Sequence, residues 1–199
     1  MNRLNYALVE VEMKKIGGKL SDYSQDSFRW KLFRLNCRQH NTLTVNDKDH
    51  NVAAFVKMTA VEESKERMAA SFDLTPLFDG DLIKAERTAA ICDGSYLEIR
   101  DKLATPSDRP VKVRWTIVTE GKPEVTSDGI VLEKNGVRML LRTEGAEVNY
   151  KVWSSDPKDY DNLLNHVEPQ VSGVYICGYE TDIAPSAEVA LVTSLRRIR

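Results

Sequence analysis

The residues best equipped for chemistry crowd into one stretch, Tyr23 to Val52, which reads YSQDSFRWKLFRLNCRQHNTLTVNDKDHNV. Arg29, Arg34 and Arg38 stand there among Trp30 and Phe33. A guanidinium grips a carboxylate or sulfate through its planar fork, and an aromatic ring offers an apolar face to a pyranose. That composition suits an acidic sugar. The plainer account of the same spacing is one strand, with Trp30 in the core and the arginines on its solvent side. His40 falls at a loop–strand junction, and His50 follows the turn Asn46-Asp47-Lys48-Asp49. Asp47, Asp49 and His50 could gather a cation, although Asn and Asp are also what a solvated turn selects for its own hydrogen bonds. Tyr23 enters as a general base by proximity alone. His166, beside Asn162 and Asn165, has no ligand spacing and reads as surface.

Cys37, Cys92 and Cys177 are odd in number and far apart, with no C-x-x-C pair. That argues against a zinc ribbon or a dithiol redox motif, and leaves each as a small buried hydrophobe. The run Glu62, Glu63, Lys65, Glu66 and Arg67 reads as the solvated end of a strand–turn unit.

The elements that must position these groups are mostly strands. In Val111–Ile117, Val111, Val113, Trp115 and Ile117 fall on one face and Lys112, Arg114 and Thr116 on the other. Asn135-Gly136 separates two apolar runs and tolerates the positive φ angles of a type I′ hairpin turn. Further strands are expected at Leu4–Met13, Ser27–Asn36, Asn41–Asn46, Val52–Met58, Arg67–Leu74, Ile83–Ile91, Ser95–Asp101, Glu147–Trp153, Val174–Tyr179 and Glu188–Leu195. Propensity also allows helix at Arg67–Ala70 and Ile83–Ala90. Asp156–Leu164, opened by Pro157, is a short helix or a surface loop. Many short strands punctuated by turn-formers predict an all-β protein, an antiparallel sandwich of two packed sheets with few or no helices. Residues 1–199 form one domain, its core gathered around Trp30, Trp115 and Trp153.

Composition excludes several classes. Lysine and arginine number 28 against 30 aspartates and glutamates, a formal charge of −2, without the basic excess of a nucleic-acid binder. No run approaches the ~18 apolar residues of a membrane-spanning helix. The N-terminal MNRLNYALVEVEMKK lacks the apolar core and cleavage site of a signal peptide.

The Tyr23–Val52 stretch resembles a signature of the heparinase II/III-like family, carried by Ser24, Gln25, Arg29, Trp30, Phe33, Arg34, Asn36, His40, Asn41, Thr42, Leu43, Thr44 and Asn46. Phe72-Asp73-Leu74, Arg87 and Tyr96-Leu97-Glu98-Ile99-Arg100-Asp101 resemble its later strands. Asp47 stands where the family carries Gly, and His50 where it carries Gln. The segment before Gly17 holds Leu8, Val9, Glu10, Val11 and Glu12, without the family's Asp.

The resemblance implies the C-terminal β-sandwich of a lyase whose N-terminal (α/α) toroid is absent from these residues. In the complete protein, a Tyr moves the proton while His, Asn or Arg groups neutralise the uronate, so that uronic-acid glycans break by β-elimination. No residue here receives a catalytic role. Arg34, Asn36, His40 and Asn41 are the expected substrate contacts. The resemblance makes His40 a zinc ligand and zinc a candidate cofactor; the site looks incomplete, since zinc takes three or four protein ligands, the upstream His has no counterpart and the Asp position is not matched by an Asp. The implied partners are an acidic polysaccharide, heparin-, heparan- or alginate-like, and the missing toroid; nucleic acid and a membrane span are not expected. The implied location of the parent is periplasmic or secreted. The alternative is a free-standing, non-catalytic carbohydrate-binding or structural sandwich.

Overall fold

A computed structural model describes residues 6–160, 168 and 170–199. Its one α-helix among them, α1 (Tyr6–Lys15), precedes twelve strands. These are β1 (Leu43–Val45), β2 (Lys57–Glu63), β3 (Arg67–Asp73), β4 (Lys84–Cys92), β5 (Tyr96–Ala104) and β6 (Val111–Thr119). Then come β7 (Lys122–Thr126), β8 (Gly129–Lys134), β9 (Val137–Glu144), β10 (Asn149–Trp153), β11 (Tyr175–Ile183) and β12 (Glu188–Ile198). The strands form a four-stranded sheet in the order β1-β6-β11-β10 and an eight-stranded sheet in the order β2-β3-β4-β5-β12-β9-β8-β7. Every pairing is antiparallel. The expected sandwich is the observed one.

The core fills the space between the sheets. Leu43, Val45, Val111, Val113, Trp115, Cys177, Tyr179 and Ile183 come from the small sheet. Ala85, Leu103, Ile130, Leu132, Leu141 and Leu191 come from the large one. Trp115 and Tyr179 stack with ring centroids 5.6 Å apart and planes 4° from parallel, and the Tyr179 hydroxyl meets Thr193 Oγ1 at 3.1 Å. At Gly178 a β-carbon would lie 2.0 Å from the Trp115 carbonyl oxygen, so only glycine lets β11 approach β6 this closely.

The large sheet is wider than its cover. Register places Val61, Ala70, Ala89 and Ile99 in one row, on the same face as Met58, Met68, Ile91 and the core residue Leu103. Toward β2 this face emerges from under the small sheet. Met58 is 60% exposed, Val61 57%, Met68 53% and Ile91 47%. Val61, Met68 and Ile91 line an open depression of about 810 Å³. The opposite face of these strands is a charge ladder, Glu62–Arg67–Glu98–Arg100.

Three expectations need correction. Residues 6–13 are helix, not strand: Val9 and Met13, four apart, are buried together with Leu32, while Leu8 and Val11 are exposed. Short apolar runs fit both periods, and tertiary burial chose 3.6. The helix ends at Gly17, whose φ of +76° is left-handed, with Gly18 N–H donating to the Met13 carbonyl at 2.8 Å.

Residues 27–39 are not a strand either but three successive 3-10 turns, Phe28–Lys31, Phe33–Leu35 and Cys37–Gln39. Ser27 Oγ accepts from Arg29 N–H at 3.1 Å and Asn36 Oδ1 from Arg38 N–H at 2.9 Å. These local bonds compete with a ladder and win. In consequence Trp30 and Trp153 are only half-buried, and Trp115 alone of the tryptophans lies in the core.

The strand expected from Val52 opens at Lys57, because the Gln25 and Asn51 side chains take the N–H groups of Val52 and Ala53. Arg67–Ala70 and Ile83–Ala90 lie almost wholly in strands β3 and β4, Ile83 just preceding β4. β7, unanticipated, is an edge strand that tolerates Pro123. Of Asp156–Leu164, Pro157–Asp159 form a 3-10 turn. The rest of that segment after Tyr160, with His166, lies outside the described residues.

Candidate functional site

The expected site residues lie across the outer face of the small sheet. On β6, alternation turns Val113 and Trp115 inward and Lys112, Arg114, Thr116 and Val118 outward, where the 3-10 turns cover them. Thr116 Oγ1 donates to the His40 carbonyl at 2.6 Å, Val118 N–H to Asn41 Oδ1 at 2.6 Å, and Arg114 Nη2 to the Arg38 carbonyl at 3.2 Å. Buried Glu168 fastens the middle of the segment, accepting from the backbone N–H of Phe33 at 2.5 Å and of Arg34 at 3.1 Å.

Three hollows run along this segment. One of about 540 Å³ is lined by Arg34, His40, Asn41, Val118 and Ile176 among others. A second, about 290 Å³, lies between Trp30, Cys37, His40, Asp49 and His50. A third, about 310 Å³, has Lys31, Arg38, Asp47, Arg114 and Tyr160 on its walls. His40 belongs to the first two; Phe33 and Gln39 belong to the first and third.

Of the expected contacts, Arg34, His40 and Asn41 come together at the first of these hollows. His40 Nε2 lies 3.1 Å from the Arg34 carbonyl oxygen. Asn36 does not join them. Its amide is spent on the Trp30 carbonyl and Asp49 Oδ1, both at 3.0 Å, while its oxygen accepts from Arg38. It is a brace for the turns. Arg29 is also structural, donating to the Leu20 carbonyl at 2.6 Å with its guanidinium over Tyr23 and Trp30.

The turn at Asn46-Asp47 is tight without a glycine. Both residues are left-handed, with φ of 51° and 56°, and Lys48 N–H closes the turn on the Val45 carbonyl at 3.0 Å. Asp47 faces Lys112 at 3.2 Å, a contact that glycine would not supply. His50 is part-buried against Phe78, its Nε2 at 2.7 Å from the Leu43 carbonyl. Burial holds its imidazole below the ordinary histidine range.

Among the described residues, no group of three or more His, Cys, Asp or Glu side chains is placed to hold a metal ion.

Sequence reasoning left out Arg114, Gln39, Lys31, Tyr160 and Glu168. The outward phase of Arg114 was readable from its strand. What faces it, a turn more than seventy residues earlier, was not. Arg114 lies flat on Trp153, its guanidinium carbon 4.0 Å from the ring centroid.

Fold and site together define an antiparallel two-sheet module that presents a basic, aromatic-flanked groove. The family model described as heparinase II/III-like, C-terminal, matches residues 20–191, and the chain belongs to that family of lyase modules. Among solved structures it is similar to heparinase III, at 14% identity and a TM-score of 0.58, over 81% of this chain and 24% of that one. A mutant of the heparan sulfate lyase HepC from Pedobacter heparinus gives 14% identity and a TM-score of 0.61, over 88% of this chain and 27% of that one. The chain thus spans about a quarter of the length of these structures. No curated protein matches it.

Proposed function

We propose that this chain is the sandwich half of a heparinase II/III-like polysaccharide lyase. The proton-transferring groups for β-elimination of a uronic-acid glycan reside in a helical toroid that packs against it. The observation that carries this reading is the uncovered inner face at Met58, Val61, Met68 and Ile91, contiguous with the core. A monomer rarely leaves so much apolar surface open, whereas an interdomain contact hides it. The hollow beside Arg34, His40 and Asn41 is the module's contribution to holding the acidic polysaccharide. The parent protein works in the periplasm or outside the cell, where such glycans are met.

Calorimetric titration with heparin, heparan sulfate and alginate oligosaccharides tests the glycan contact. Saturable, salt-sensitive binding of at least one, weakened by Arg34→Ala and His40→Ala, is the expected result. The same samples should produce no unsaturated-uronate absorbance. Silence across all three glycans would sink the proposal, and cleavage by this chain alone would reassign the catalytic groups to it.

A further inference from the structure

The third hollow holds an electrostatic anomaly. Arg114 is 7% exposed, yet its Nε–H has no hydrogen-bond partner, and it enters no ion pair among the described residues. Among the described residues, the two carboxylates whose charge acts on it are already committed: Glu180 to Lys112 at 3.4 Å and to Lys151, and Asp47 to Lys112 at 3.2 Å. The Trp153 ring beneath the guanidinium offsets part of the cost of burying it. The Nε–H still lacks an acceptor, and a buried cation is costly unless something supplies the anion. Burial lowers the guanidinium's proton affinity, but arginine stays charged throughout the physiological range.

The surroundings specify more than an anion. Lys31 and Arg38 line the same cavity, and Lys31 is exposed without an ion pair among the described residues. Gln39 Oε1 is buried with no hydrogen-bond partner and lines the cavity too. An amide oxygen cannot serve an oxyanion, but it accepts a hydroxyl hydrogen. Phe33 and Tyr160, with ring centroids 5.1 Å apart, supply aromatic wall. At about 310 Å³ the space stands at the small end of ligand clefts.

We infer that the cavity between Arg114, Lys31, Arg38 and Gln39 receives one oxyanion-bearing sugar residue. The oxyanion lies on the Arg114 Nε edge, and a ring hydroxyl donates to Gln39 Oε1. This rests on the acidic-glycan reading and locates a second contact, joined to the Arg34 hollow through Phe33 and Gln39. The shared chemistry is a carboxylate or a sulfate on a pyranose. Among the described residues, Asp47 is the one carboxylate on its wall.

Titrating the whole chain with glucuronate, glucosamine 6-sulfate and glucose, followed by amide NMR, tests it. At least one charged sugar should saturate, with affinity falling as salt rises, while glucose does not bind; which charged sugar saturates identifies the oxyanion. Arg114→Gln should lower affinity roughly tenfold or more, and Lys31→Ala by a few-fold. Asp47→Asn should tighten binding by removing the opposing charge. Glucose binding as well as the charged sugars, or no sugar binding, overturns the inference. So does a folded Arg114→Gln that binds like the parent. Should Arg114→Gln not fold, unchanged affinity in both Lys31→Ala and Asp47→Asn overturns it equally. An oligosaccharide of heparin, heparan sulfate or alginate bound alike by parent and Arg114→Gln sinks this cavity yet spares the proposed function; no binding of any of the three sinks both.

Discussion

Arg87 and Asp101 meet on the inner face of the large sheet in a two-pronged ion pair, Nε to Oδ1 at 2.7 Å and Nη2 to Oδ2 at 2.9 Å. They are direct cross-strand partners on β4 and β5, and the Asp101 side chain is fully buried. Both belong to the residues that carried the family resemblance, so the resemblance marked a structural clasp.

Removing one partner strands the other in a dry place, which costs about 3–5 kcal/mol. Asp101→Leu and Arg87→Met should each lower the urea midpoint sharply, with Arg87→Met/Asp101→Leu recovering part of the loss. Chemical denaturation of the four proteins checks this. Additive losses would show that the two side chains do not act as a pair.

His50 makes the fold sensitive to mild acid. Burial, foremost, depresses its folded-state affinity for protons below that of the unfolded chain, ordinarily near 6.5. Between those two affinities the unfolded state binds the extra proton, so stability is whole above about pH 6.5 and falls as pH drops below it. His50→Gln, which keeps a donor for the Leu43 carbonyl but does not titrate, should flatten this decline. Melting temperatures from pH 8 to pH 5 decide it, and parallel curves would clear His50 of the effect.

The thiols should be sluggish. Burial pushes Cys37 up to about 11 and Cys177 up to about 12, so neither is a thiolate at neutral pH. Iodoacetamide should label neither within the time that modifies free cysteine, and denaturant should expose both. Fast labelling of Cys37 in the folded chain would contradict the packing around Asp49 and His50.

The open end of the large sheet yields a test of its own. Val61→Lys with Met68→Lys should leave the melting temperature within a few degrees, since both side chains are already more than half exposed. Self-association by sedimentation should fall. A collapse in stability would mean that this face is core.

The sandwich was legible where period two was the only pattern available. Val111–Ile117 folded as its alternation demands, and Asn135-Gly136 adopts the left-handed pair, φ 52° and 76°, that a tight hairpin needs. Residues 6–13 misled because an isolated apolar pattern that short satisfies both periods. Residues 27–36 misled because Ser27 and Asn36 act through short-range capping, which hydrophobic spacing does not register. At the site, Arg34, His40 and Asn41 were visible through motif. Arg114 and Glu168 were not, because their roles exist only through partners 76 and 134 or more positions away.

Glu168 thereby sets an order of events. The turns that border the groove leave the ribosome well before the carboxylate that clamps them, which lies 134 or more positions after the two amides it holds. The shape of the groove is therefore a late acquisition of this fold, gained when segments remote in sequence find each other. Whatever draws Glu168 away from those two amides would reshape the groove before it disturbed either sheet.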